Sequence, residues 1–300
     1  MVYQAVASQA LANATAGSIN FAPVHPLSWQ ILSTISHIAI FLLLIIILFK
    51  AFLGMFHVEK LSAWIWMHVP LIVTYAIFLA LTSPEVMKTM YNISRSFSSS
   101  LVRWDVMQEC YLIKKLGPKD VLTPIDAVAQ AIWQWTDFVE FVLKAAVVLF
   151  LTLFGLGTPM FHMYFTYPAI IATALVFIGA ITHVFLYVSP AIIALGVLAV
   201  MSGAFKYAGG WLIGFGVAAM TIFPLVIPLT CFLIYAWNET VNYLTQAVTL
   251  PDWLTRGIIF FVIDFSKIPI LGLTLGAFAI VWAVAIILAT GVAEVVSARL

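Results

Sequence analysis

The stretch that most constrains this chain runs from Pro190 to Thr230 and reads PAIIALGVLAVMSGAFKYAGGWLIGFGVAAMTIFPLVIPLT. Two apolar segments are joined by a short link that carries one charge, Lys206, and the pair Gly209 and Gly210. As a helix the first segment, Pro190 to Phe205, rises about 24 Å, short of the ~30 Å hydrocarbon core of a bilayer. The second is longer and holds Pro224 and Pro228. Short or proline-broken apolar segments are tolerated at membrane depth only where other protein or a water-filled cavity satisfies the freed backbone groups. The pair is therefore the candidate working centre of the molecule.

The rest of the chain agrees with a membrane setting. Of 300 residues 64% are hydrophobic and 8% charged, and the mean hydropathy is +1.13, far from the roughly one-quarter charged content of soluble domains. An all-α, polytopic transmembrane helical bundle is predicted. The net charge of +1 supplies no bulk attraction to nucleic acid or anionic lipid. Cys110 and Cys231 are read as two separate buried thiols. No charged residue precedes Lys50, so residues 1–28 lack the basic start of a signal peptide and are expected to form a retained extracytoplasmic segment.

Seven spans are expected. The first two occupy residues 29–83, as Trp29 to Phe49 and Ala63 to Thr82, with Trp64 and Trp66 at an aromatic belt and Pro70 a kink. Residues 84–140 hold most of the charge and are expected as an extracytoplasmic amphipathic helical insert. Its first helix carries Val86, Met90, Ile93, Phe97, Trp104, Met107 and Tyr111 on one apolar face, predicted to lie on the membrane or dock on the bundle. A second begins at Thr123-Pro124 and runs into the third span, led by Lys144. Residues 141–300 form the core bundle, in which Tyr167 to Tyr187 is the fourth span and the opening stretch the fifth and sixth. A polar loop from Asn238 to Arg256 follows, and Pro269 to Val292 is the last span.

An outside N-terminus places Lys50, Lys60, Lys206 and Arg299 at the cytoplasmic face, a positive-inside pattern. The C-terminus is then cytoplasmic, and the three sequons at Asn13, Asn92 and Asn238 lie outside as possible glycosylation sites.

No metal or cofactor site is expected. His37, His68 and His183 have no His, Cys, Asp or Glu at helical spacing, so packing roles are assigned to them. No phosphate-binding loop, dinucleotide fingerprint or hydrolase motif is present, and the chain is read as non-enzymatic. Four cations and acids are candidates for channel lining or coupling: Lys206, Lys144, and the i, i+3 pair Asp264 and Lys267. Gly196, Gly209, Gly210, Gly214 and Pro224 form a candidate helix-packing motif, with Gly210 and Gly214 giving one GxxxG match.

Pro190, Gly196, Lys206, Gly209, Gly210, Leu212, Ile213 and Pro224 together resemble the archaeal Ced DNA-exchange membrane proteins, the CedA group. These are related to the polytopic TrbL-type membrane component of type IV secretion and conjugation systems. Ala199 stands where the family has leucine, and Val200, Lys206 and Tyr207 where it tends to arginine. The resemblance implies a cell-membrane channel or platform that passes single-stranded DNA. A separate ATPase and small pilin-like membrane proteins are the implied partners, with membrane lipid around a homo-oligomer. The competing reading from the residues is a secondary transporter of a small solute, with the broken spans holding its site.

Overall fold

The structure is a computed structural model that describes residues 20–21, 24–55, 61–102, 121–122, 124, 126–129, 131–132, 166–247 and 267–299. The described residues are almost wholly helical. Before the first helix, Asn20–Phe21 (β1) pairs in parallel with Val121–Leu122 (β2).

Helix α1 spans Pro26–Met55. His25 caps it: its ring Nδ1 accepts from the Leu27 N–H at 3.2 Å, and Pro26 sits at the first helical position, where a missing N–H costs nothing. Leu32, Ser36, Ala39 and Leu43 are buried in one narrow stripe, while most large side chains on the other faces, such as Phe41 and Leu48, are exposed. Helix α2, Leu61–Leu81, continues through Pro70. Helix α3, Pro84–Val102, starts on Ser83, whose hydroxyl accepts from the Val86 N–H, with Glu85 favourable in the first turn.

The apolar face of helix α3, expected to lie on the membrane or dock on the bundle, is not the face that docks. Met87, Tyr91, Ser94 and Ser98 are buried, while Met90, Ile93 and Phe97 of the predicted apolar face are exposed. The physical reason is the solvent. An apolar face laid on a membrane needs no protein cover, whereas a face that docks on helices does so through small and hydrogen-bonding residues. Ser94 Oγ donates to the Thr221 carbonyl at 2.6 Å. Tyr91 packs on Trp29 with ring centroids 6.5 Å apart, and Lys88 Nζ stands 5.7 Å over the same Trp29 ring.

Helix α4 runs unbroken from Tyr167 to Met201, which corrects the expected fourth and fifth spans: they are one helix, about 52 Å long. Pro190 removes the N–H that would bond the Leu186 carbonyl. Ser189 Oγ donates to that carbonyl at 2.8 Å, so the helix survives the proline. The neighbouring Tyr187 carbonyl accepts from the His25 N–H at 3.2 Å and from Ser28 Oγ at 3.2 Å.

The chain turns at Gly203, whose φ of 74° is the left-handed conformation that ends helices and suits glycine. Helix α5 covers Lys206–Thr221, a 3-10 turn Phe223–Leu225 contains Pro224, and α6 covers Val226–Ala247. Asn238 therefore lies within a helix and not at the start of a loop. Helix α7 is Lys267–Arg299, longer at both ends than the expected last span.

Among the described residues four helical stretches are long and apolar enough to cross a bilayer: Pro26–Phe49, Tyr167–Met201, Lys206–Tyr243 and Pro269–Arg299. This is a multi-pass helical membrane protein. The expected third span lies outside the described residues.

The chain divides into two compact units. One comprises residues 1–22, 96–183 and 224–281; its buried side chains include Val128, Leu175, Ile227, Leu271 and Phe278, and Gly179 lets Val128 approach to 2.6 Å of where a Cβ would stand. There Cys231 is fully buried and disulfide-bonded, which corrects its reading as a separate thiol. Cys110, the other cysteine of the chain, lies outside the described residues. The second unit comprises residues 23–95, 184–223 and 282–300 and holds the candidate site.

Candidate functional site: a helical turn locked by glycines

Helix α5 has glycine on two of its faces. Gly209 and Gly216, seven residues apart, turn toward α4, and Gly210 and Gly214, four apart, turn toward α7. A Cβ on Gly209 would lie 2.6 Å from the Gly196 carbonyl oxygen and 2.7 Å from the Val200 backbone nitrogen; one on Gly216 would lie 3.0 Å from the Ser189 carbonyl oxygen. On the other side, a Cβ on Gly210 would lie 2.9 Å from Ala293 Cα, and one on Gly214 2.7 Å from Ala289 Cα. Missing side chains thus bring three helices to backbone contact, the close approach that small residues permit in lipid.

These contacts fix directions. Residues 209 and 216 of α5 meet residues 196 and 189 of α4, so the two helices are antiparallel. Residues 210 and 214 meet 293 and 289 of α7, so this pair is antiparallel too. Lys206, at the start of α5, and Arg299, at the end of α7, consequently stand at the same end of the unit.

The other end is closed by aromatic rings. Phe215 is the hub, 5.0 Å from Phe185 at 86°, stacked on Trp211 at 5.1 Å, and 5.7 Å from Trp282. Phe223 adds a ring 5.2 Å from Trp282. Edge-to-face and offset pairs of this kind each contribute about 0.5–1.5 kcal/mol beyond area burial. With Phe215 and Phe223 buried, this is a packed lock and not a stacking platform. It joins distant parts of the chain, and nothing in local spacing announced it.

The structure brings Gly196, Gly209, Gly210 and Gly214 together and puts Pro224 in the turn that joins α5 to α6. Lys206 is half-buried beside the glycine turn. Lys267 begins α7, while Asp264, Lys144 and Asn13 lie outside the described residues. Asn92 and Asn238 are both exposed on helices, although the hydroxyls of their sequons, on Ser94 and Thr240, bond to backbone carbonyls. Among the described residues no group of His, Cys, Asp and Glu could hold a metal ion.

Beside the lock, α2, α3, α5 and α7 line an open cavity of about 790 Å³ whose wall is apolar except for Thr74, Thr82 and Arg299. Outside the spans, burial pushes the Tyr91 phenol above its ordinary pKa, against the smaller opposing pull of Arg95 and of a backbone hydrogen bond with Val24. The phenol is therefore a neutral partner in the docking of α3.

Comparison of the chain with family models, with characterised proteins and with solved structures returns no match.

Proposed function

We propose that this chain is a non-enzymatic membrane component of a DNA-transfer machine, passing single-stranded DNA across the cell membrane in concert with a separate ATPase and small pilin-like membrane proteins. The observation that carries the reading is the α4–α5 turn. The stretch that resembles the DNA-exchange proteins is a rigid pair of helices held by glycine contacts, with Lys206 next to its apex. A homo-oligomer surrounds the path, because a chain with few basic groups in its spans builds a lumen for a polyanion more readily between copies than within one.

Orientation is part of the proposal: N-terminus outside, C-terminus cytoplasmic. Two findings support it. Lys206 and Arg299 share one end of their unit, as the positive-inside pattern requires. Cys231 is disulfide-bonded, a bond that persists in oxidising surroundings and so fits a chain with an extracytoplasmic side.

Among the described residues the cavity lends the solute-transporter reading no comparable support. A solute site presents several convergent polar groups in an otherwise apolar pocket, whereas Thr74 and Thr82 turn their hydroxyls back to the carbonyls of Pro70 and Phe78.

The test is DNA transfer between cells that lack the wild-type copy. Lys206→Glu, present in the membrane at wild-type level, is expected to reduce transfer to near background, while Lys206→Arg keeps it. Unchanged transfer by Lys206→Glu would sink the proposal.

A further inference from the structure

The cavity between α2, α3, α5 and α7 has a shape and chemistry that the proposed DNA path does not use. It follows α7 from Ile287 to Arg299, about 18 Å at 1.5 Å per residue. That is close to the depth of one leaflet of a ~30 Å hydrocarbon core. Its volume of about 790 Å³ is that of a site for an organic ligand of substantial size. Side chains such as Phe78, Met87, Val217 and Leu288 line it. Because the two threonine hydroxyls are taken up by their own helices, the one polar group that the wall offers a ligand is the guanidinium of Arg299.

Arg299 is exposed, and among the described residues it has no acidic partner. Glu294, on the same helix, lies five positions earlier, about 140° around the axis at 3.6 residues per turn, and is not in the wall. Gly291 forms part of the floor, and a Cβ built there meets nothing within 4 Å. The contrast with Gly210 and Gly214 is informative. Those glycines are filled by a neighbouring helix, whereas the space over Gly291 is open.

We infer that this cavity is a binding site for an anionic phospholipid, whose hydrocarbon chain lies along α7 over Gly291 and whose phosphate is held by Arg299. A long apolar channel one leaflet deep with a single cation at the end where headgroups lie matches a lipid in both parts, and an arginine fork is the side chain best suited to a phosphate. The lipid would complete the packing of α2 and α3 against α5 and α7. The site is independent of the DNA-transfer reading, and it stands whatever Lys206→Glu does to transfer.

The test uses the full chain in detergent, titrated with dioleoyl phosphatidylglycerol, dioleoyl phosphatidylcholine or inorganic phosphate, with bound lipid counted by native mass spectrometry and melting temperature followed in parallel. Wild type is expected to retain phosphatidylglycerol about tenfold more tightly than phosphatidylcholine, whose own choline cation neutralises the phosphate and competes with Arg299 for it, and to ignore phosphate. Arg299→Gln should bind both lipids equally. Gly291→Leu fills the open floor and should lose both, with a lipid-free melting temperature no lower than wild type. Equal retention of the two lipids by wild type overturns the inference, as does a full shift with phosphate alone or undiminished lipid binding by Gly291→Leu. If Gly291→Leu instead dissociates an oligomer that never carried lipid, the cavity is a subunit contact and the inference falls.

Discussion

Gly196 and Gly209 meet main chain to main chain: a Cβ on the first would lie 2.7 Å from the carbonyl oxygen of the second, and a Cβ on the second 2.6 Å from that of the first. The contact is reciprocal, so neither helix can move aside for one methyl group without moving its whole backbone.

Alanine at either position is therefore expected to destabilise. Replacing a helical glycine by alanine gains up to about 1 kcal/mol from backbone propensity, but overpacking a tight contact costs about 1–3 kcal/mol, and here the obstructing atoms are backbone. Gly272 and Gly276 of α7 provide the control, since a Cβ there meets nothing within 4 Å. Unfolding midpoints in one detergent should fall for Gly196→Ala and Gly209→Ala and hold or rise for Gly272→Ala. Indifference at Gly209 would show that the helices do not touch there.

Ser189 decides whether α4 tolerates its proline. Without the Ser189 hydroxyl the buried Leu186 carbonyl has lost both its N–H partner and its substitute, a cost of about 1–2 kcal/mol. Ser189→Ala should be destabilising by that amount. The same change made together with Pro190→Ala should be nearly silent, because residue 190 then regains its N–H. A double-mutant cycle measures the coupling, and simple additivity contradicts the assignment.

Cys231 is expected to give no free thiol when the chain is denatured without reductant and treated with a maleimide. Reduction should lower the melting temperature, and Cys231→Ser should reproduce that loss, roughly 2–4 kcal/mol by the usual worth of a native disulfide. Labelling of wild type without reductant would count against the bond. Inaccessibility of Asn238→Cys to an impermeant maleimide on whole cells, in a background without the other cysteines, would count against the outside placement.

What could be read from the sequence depended on how local the cause was. The apolar runs of α1 and α7 announce themselves by length alone, and the spacing of Gly210 and Gly214 pointed to close helix packing. Pro190 misled because a proline is a breaker only when nothing replaces the hydrogen bond it removes, and Ser189 replaces it. Helix α3 was legible only in part. Periodicity shows that Met90, Ile93 and Phe97 share a side, but whether that side meets protein or hydrocarbon depends on the solvent, which periodicity does not encode. The aromatic lock and the cavity over Gly291 join residues far apart in the chain, so no window of sequence contains them.

The carbonyl of Tyr187, next to Pro190, receives α1 through Ser28, a residue 159 positions earlier. Synthesis makes the donor long before the acceptor. During that interval α1 has only the helices that follow it, α2 and α3, as partners, and its surface is suited to this, with large apolar side chains exposed on most faces and length enough to span. Its capture by α4 is then a late step of assembly, set by the arrival of Tyr187, and a chain truncated before residue 187 would leave α1 inserted and held by α2 and α3 alone.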